Sequence, residues 1–407
     1  MTHRPAKPSF MTREARYPSS LERAGVKTEE ADVVIIGAGI IGASCAWHLA
    51  SRGLRVVVLE AEAGPAMGST GKSAAGVRVQ FTTEANVRLS MYSLPFYREF
   101  ESRFGTDIGY RPIGYLLLAP EARWEQHLES VALQRRLGAP VDVLSPAEAQ
   151  RYVPFDTEGL AGATFGPWDG VIDPHMVTQA LLEMARAKDV DVRFRSAVTG
   201  IERAASGGWT VTSDRGSLRC EHLVNAAGAW SGAIAGMAGL EVPVGPKRIQ
   251  IFLSAPIDDP RTYPLTIDLA TGAYLRSEGD RVLVGLDNLQ QEIGFTEGMD
   301  WDWMERVLVT GVDRFPWWAE LGIDRKGSWW GYYEVSPDHS PIIGRHPGAP
   351  GWIDACGFSG HGIMHAPAAG LAVSEMVADG DSATLDVSAF RHDRFTADVV
   401  ARESNIF

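Results

Sequence analysis

Four consecutive apolar residues at 33–36, a glycine turn, a stretch at 43–51 closed by Gly53, and an apolar run through 55–60 predict a strand, a helix and a strand. Neither run alternates apolar with polar, so both strands are expected to be parallel and buried on both faces. Strand, helix and strand within about 30 residues make a βαβ unit with a right-handed crossover. Residues 61–76 are rich in Gly, Ser and Ala and read as a loop. Further helices are predicted at 83–104 with a break at Pro95, at 121–137, 146–152, 174–188, 301–315 and 363–378. Strand signals fall at 114–119, 190–194, 198–203, 209–212, 222–225, 247–254, 272–276 and 281–285. The chain opens as α/β, turns β-rich, and closes on a helix. That order predicts a nucleotide-binding domain built from separated segments, with a second domain inserted between them.

Composition narrows the class. The 407 residues suit two or three domains or one composite domain. Apolar residues at 45% and charged residues at 22% exclude a largely disordered chain. A net charge of -13 argues against nucleic acid and anionic membrane as partners. Cys45, Cys220 and Cys356 are far apart and form no C-x-x-C pair, against a disulfide framework or a cysteine-built zinc site, and in keeping with a cytoplasmic setting. The ten histidines show no metal-ligand spacing, so no metal is expected. The most apolar stretch, 33–50, is broken by Gly37, Gly39 and Gly42 and is no membrane span. The first 30 residues lack the apolar core of a secretory signal and read as a flexible or loosely docked lead.

Residues 37–42 read G-A-G-I-I-G between the first strand and the first helix. In this context G-x-G-x-x-G is a dinucleotide-binding turn: Gly37 makes the turn, Gly39 admits a pyrophosphate, and Gly42 lets helix pack on strand. Glu60 ends the second strand, where an acidic side chain accepts hydrogen bonds from ribose hydroxyls. The turn alone does not separate NAD from FAD. Residues 222–230 read H-L-V-N-A-A-G-A-W, an apolar strand running into small residues. Residues 356–367 read C-G-F-S-G-H-G-I-M-H-A-P, a glycine-rich loop running into a helix whose N-terminus favours negative charge.

Together these segments resemble the D-amino-acid-oxidase-like FAD oxidoreductases over about 31–380. The stretch 331–344, G-Y-Y-E-V-S-P-D-H-S-P-I-I-G, followed by G-F-S-G-H-G at 357–362, is similar to the sarcosine oxidase and dimethylglycine dehydrogenase branch. The resemblance implies an α/β (α+β composite) fold. A Rossmann-like FAD-binding domain of glutathione-reductase type would carry an inserted antiparallel-sheet substrate domain. The expected division is a lead at 1–30, FAD-binding segments at 31–108, 168–232 and 331–390, substrate-domain segments at 109–167 and 233–330, and a tail at 391–407. The FAD-binding residues it implies are Gly37, Gly39, Ile40, Ile41, Gly42, Glu60, Ala61, Ser69, Thr70, Lys72, Ser73, Val198, Ala227, Gly228, Trp230, Gly331, Gly360, His361, Gly362, Ile363 and Met364.

Departures from the family pattern shape the expected chemistry. Tyr333 stands where glycine and D-amino-acid oxidases carry a carboxylate-binding Arg. Arg78 matches the Arg with which monomeric sarcosine oxidases hold a carboxylate, and Met364 falls where their Lys would be. Ser73 replaces the flavin-linked His of the dimethylglycine branch, and Gly331 falls at the sarcosine oxidase cysteine position, so FAD is expected to be non-covalent. Strand 281–285 holds no lysine to activate oxygen, which favours an acceptor other than O2 without deciding it.

Arg78, Tyr274, Tyr333 and His361 are the candidate catalytic residues. Arg78 is a bidentate carboxylate clamp or a structural ion pair; the tyrosines orient substrate or pack in a core; His361 assists the flavin or is a satisfied loop histidine. Six tryptophans between 301 and 330 either wall a pocket or pack a core, and core packing is favoured.

The expected activity is FAD-dependent oxidation of the C–N bond of a secondary or tertiary amine, an N-methyl or cyclic amino acid. One alternative is a D-amino-acid oxidoreductase. Another is a non-catalytic FAD-binding subunit or assembly factor. The partners expected are a small amine or amino acid, an electron acceptor, and either a second copy of the chain or another subunit.

Overall fold

The computed structural model describes residues 29–259, 261–396 and 402–404. The lead expected at 1–30 lies outside them except for Glu29 and Glu30, which begin the first strand, Glu29–Ile36.

Two eight-stranded sheets organise the chain. In the first, Glu29–Ile36 lies between Val56–Leu59 and Gly216–Asn225, parallel to both. Asp191–Arg193 and Trp352–Cys356 extend this parallel core, and Ile342–Arg345 pairs antiparallel at one edge. Parallel strands need covered faces. One face is covered by helices Ile40–Ala50, Pro174–Arg186 and Gly362–Asp379, which pack on Ile35, Val58 and Val224, all at 0% exposure. Pro174 sits in the first turn of its helix, where its missing N–H costs nothing, and Asp173 caps it with two hydrogen bonds of 2.9 Å.

The second sheet contains Tyr115–Pro120, Asp142–Leu144, Leu160–Gly166, Gly245–Leu253, Leu265–Asp268, Tyr274–Glu278, Arg281–Gly285 and Trp329–Val335. It is antiparallel but for one pair: Leu265–Asp268 runs parallel to Tyr115–Pro120, so the sheet is mixed rather than wholly antiparallel. Strand Trp329–Val335 crosses the boundary expected at 331 and stays whole in this sheet, paired with Gly245–Leu253.

Several boundaries shift for physical reasons. The helix expected at 83–104 breaks at Glu99 instead of Pro95, giving Glu84–Arg98 and Phe100–Phe104. The loop expected at 61–76 contains a turn of 3-10 helix at Thr70–Lys72. The strand expected at 222–225 begins at Gly216, because its first half forms a hairpin with Trp209–Ser213. Trp318 is 1% exposed and stacks on Phe315, while Trp301, Trp303 and Trp317 pack against the same core, so these four tryptophans pack a core. No helix among the described residues is long and apolar enough to cross a membrane. The three cysteines are buried and free.

Candidate functional site

The turn after the first strand has little room for side chains. Gly37 has φ +106°, and a Cβ on it would lie 2.4 Å from the Ala226 carbonyl oxygen. A Cβ on Gly42 would lie 1.9 Å from the Gly37 carbonyl oxygen, so the helix can approach the strand only with glycine there. Gly39 faces only the Thr70 hydroxyl at 3.2 Å, which leaves its flank open. The Thr70 hydroxyl accepts the Ile40 N–H at 3.2 Å, and the Glu60 carboxylate accepts the Ala38 N–H at 2.6 Å. Glycine turn, loop 61–73 and the end of the second strand are thus stitched into one cradle.

The cradle continues into a space of about 600 Å³ lined by Ile40, Ile41, Ser69, Thr70, Lys72, Ser73, Gly331, Gly360, Gly362 and Ile363 from the expected set, and by Ile249, Ile251 and Glu334, which the sequence did not single out. Lys72 places its ammonium 4.8 Å from the Trp330 ring, and the Trp329 indole donates to the Lys72 carbonyl at 2.8 Å. Gly360 has φ +93°, and a Cβ there would strike the Tyr333 ring at 2.6 Å. The final helix begins at Gly362, with no acidic residue in its first turn. A narrow glycine turn and two helix starts lining one space fit a dinucleotide.

A second space of about 560 Å³ shares Ser73, Ala74, Tyr333, Gly360 and Ile363 with the first. Its other walls bring together Arg78, Tyr274, His361 and Met364, all expected, and Tyr115, Leu265 and Ile267, which were not. Arg78 is 2% exposed, with its guanidinium 4.5 Å from the Phe81 ring and 5.9 Å from the Tyr115 ring. Burial pushes its pKa down, and the fields of Tyr115, Glu403 and Asp169 oppose that shift. Burial also pushes the phenols of Tyr115, Tyr274 and Tyr333 up, so all three stay protonated near neutrality. His361 meets the Phe81 ring edge-on at 4.8 Å. Behind Arg78, Asp169 is fully buried and accepts from the Val79 N–H at 2.9 Å and Gln80 at 3.0 Å; burial drives its carboxyl up to about 7 against those bonds.

Other expected residues fall away from these spaces. Val198 is half-buried at the start of Val198–Arg203, and Ala61 is exposed just past the second strand. Ala227 and Gly228 lie beneath the glycine turn; a Cβ on Gly37 would come 3.3 Å from the Ala227 Cα. Trp230 is 44% exposed, stacks on Phe295 at 5.4 Å, and stands beside the loop of the cradle, where a Cβ on Gly68 would lie 3.7 Å from its ring. Among the described residues no cluster of His, Cys, Asp and Glu could hold a metal ion.

Fold and site together define an FAD-dependent oxidoreductase, and the chain belongs to the DAO family of FAD dependent oxidoreductases, whose model matches residues 32–376. Its cofactor is FAD. It is 33% identical to FAD-dependent oxidoreductase domain-containing protein 1 of Bos taurus, over 90% of this chain and 85% of that one. Mitochondrial dimethylglycine dehydrogenase of Rattus norvegicus is 29% identical over 87% of this chain, which spans 43% of that protein. Among solved structures, L-proline dehydrogenase from P. horikoshii superposes with a TM-score of 0.83 at 30% identity, over 91% of this chain and 98% of that one.

Proposed function

We propose that this chain binds FAD non-covalently in the cradle and oxidises the C–N bond of an amine in the adjoining Arg78 cavity, the amine being an N-methyl or cyclic amino acid. The observation that carries the reading is the wall common to the two spaces, with a buried arginine on the far side of it. The names of two relatives, a dimethylglycine dehydrogenase and a proline dehydrogenase, support the same substrate class.

When bound, FAD supplies a two-electron acceptor for hydride from the carbon next to nitrogen. The positive start of helix Ile40–Ala50 would hold the pyrophosphate where Gly39 lets it approach, Glu60 the ribose hydroxyls, and the start of Gly362–Asp379 would set its positive end toward negative charge. Arg78 would take the substrate carboxylate through two parallel N–H donors. Its buried charge and the apolar walls of Leu265, Ile267 and Ile363 disfavour an ammonium, so the amine enters the reactive geometry neutral. The protonated phenols of Tyr274, Tyr333 and Tyr115 would orient carboxylate or amine by donating hydrogen bonds. The imine leaves to water, where its hydrolysis completes C–N cleavage. The acceptor that removes the electrons is O2 or another oxidant.

Product analysis under turnover tests this reading. An N-methyl amino acid yields formaldehyde and the demethylated amine, and a cyclic one yields its ring imine in equilibrium with the ring-opened amino carbonyl compound. A keto acid and ammonia from a D-amino acid would move the substrate class. No product from the FAD-loaded chain with any of these amines would point to the non-catalytic subunit.

A further inference from the structure

Glu403 is 0% exposed and far in sequence from the residues that hold it. Its Oε1 accepts the Thr82 N–H at 3.0 Å and the Thr82 hydroxyl at 2.7 Å. Its Oε2 accepts the Thr83 N–H at 3.2 Å, the Thr83 hydroxyl at 3.0 Å and the Asn86 side-chain amide at 3.2 Å. Thr83 is the N-cap of helix Glu84–Arg98 but caps nothing with its own side chain, so a distant carboxylate supplies the negative group at the positive helix end. The Glu403 N–H in turn donates to the Asp338 carbonyl at 3.2 Å, and Asp338 is ion-paired with Arg394 at 2.7 Å. A carboxylate this deeply buried, with this many donors, is costly to disturb.

The segment so fastened adjoins the substrate cavity. Phe81 precedes Thr82, is fully buried, and gives its carbonyl to Gln134 at 2.7 Å. On the Phe81 ring rest the Arg78 guanidinium at 4.5 Å and the edge of His361 at 4.8 Å. Two cavity-lining side chains thus share one support, whose C-terminal anchor is Glu403.

We propose that Glu403 is a positioning residue for substrate-carboxylate binding: by fastening Thr82 and Thr83 it fixes Phe81, and through Phe81 it fixes the guanidinium of Arg78. This rests on the reading of Arg78 as the carboxylate clamp. A guanidinium displaced by a fraction of an ångström loses one arm of a bidentate contact, so carboxylate affinity falls while the FAD cradle, built from other elements, keeps its cofactor.

Acetate is the probe. It is titrated into FAD-loaded wild type, Glu403→Gln, Thr83→Val and Arg78→Lys, its dissociation constant is read from the flavin absorbance change, and FAD content and melting midpoint are recorded beside it. Arg78→Lys weakens acetate by about 100-fold, Glu403→Gln by about tenfold, and Thr83→Val by about threefold, all with FAD content unchanged. If Glu403→Gln does not fold, Thr83→Val decides alone. A Glu403→Gln protein with a lowered midpoint and wild-type acetate affinity, beside a weakened Arg78→Lys, reduces Glu403 to a helix cap and overturns the proposal. Acetate that leaves the wild-type spectrum unchanged, or binds Arg78→Lys as tightly as wild type, overturns the clamp reading itself and the inference with it.

Discussion

The carboxylate of Glu334 accepts the backbone N–H of Gly357 at 2.9 Å, which ties strand Trp329–Val335 of the second sheet to the glycine loop before the final helix. The Ser359 N–H donates to the Glu334 carbonyl at 3.0 Å, so main chain and side chain of one residue hold both ends of that loop. Cradle and cavity share Gly360 from this loop, and Glu334 sets where their common wall stands.

This buried carboxyl makes stability depend on pH. Burial pushes it up to about 7 from 4.5, against hydrogen bonds from Gly357 and Phe358. A carboxyl that binds its proton more tightly folded than unfolded adds stability at low pH, and that contribution is lost as pH rises from 4.5 to about 7. Glu334→Gln is neutral throughout, so its melting midpoint falls less steeply than wild type across that window. Thermal unfolding at several pH values checks this; parallel slopes would show that the carboxyl binds its proton no more tightly folded than unfolded.

The glycines of the turn separate fold from cofactor. Gly42→Ala puts a methyl 1.9 Å from a carbonyl oxygen, so the first helix must shift and the protein is isolated with little flavin and a lowered midpoint. At Gly39 the nearest atom is a side-chain hydroxyl at 3.2 Å. Gly39→Ala asks only the Thr70 hydroxyl to give by a few tenths of an ångström, so it lowers the midpoint far less than Gly42→Ala yet binds FAD about tenfold or more weakly, because the added methyl also meets the pyrophosphate. Flavin absorbance per chain, set against melting midpoint, distinguishes the two variants.

Elements whose partners are near in sequence are legible in the sequence, and contacts between distant segments are not. The βαβ unit, its glycines and Glu60 declare themselves because neighbours in sequence are neighbours in space. The final helix and the motif at 331–344 were visible for the same reason. Leu160–Gly166 was missed because two glycines interrupt it, although it pairs on both edges within the second sheet. Tyr115 lies on one strand and Leu265 and Ile267 on another far away in sequence, and which face of those strands meets the cavity depends on how the sheets dock. The stack of Trp230 on Phe295 depends on a loop of the other sheet, which no local signal gives. Glu403 carried no local signal at all, since its donors lie at the other end of the chain.

Cofactor attachment gives a further expectation. Ser73 donates its hydroxyl to the Thr70 carbonyl at 2.9 Å and offers no ring nitrogen to a flavin, Gly331 has no side chain, and Cys356 is buried with its thiol pushed up by desolvation. Acid precipitation therefore leaves the yellow flavin in the supernatant, and a denaturing gel shows no fluorescent protein band. Flavin that stays with the pellet would overturn the non-covalent reading.

As the proposed carboxylate clamp, Arg78 should separate substrate binding from cofactor binding. Arg78→Lys keeps a charge in the cavity but loses the planar fork, so KM for a carboxylate-bearing amine rises by about 10- to 100-fold with FAD content unchanged. A carboxylate-free amine, if turned over at all, is indifferent to the change. Steady-state kinetics on both amines read this directly; equal losses on both would assign Arg78 to structure.

The most direct test of the central claim is the visible spectrum of the FAD-loaded protein, recorded anaerobically before and after adding sarcosine, dimethylglycine, L- and D-proline and several D-amino acids one at a time. An N-methyl or cyclic amino acid is expected to bleach both flavin bands in the wild type and to fail at the same concentration in Arg78→Ala. Flavin bands that no member of the panel bleaches, or that bleach equally well in Arg78→Ala, would contradict that claim.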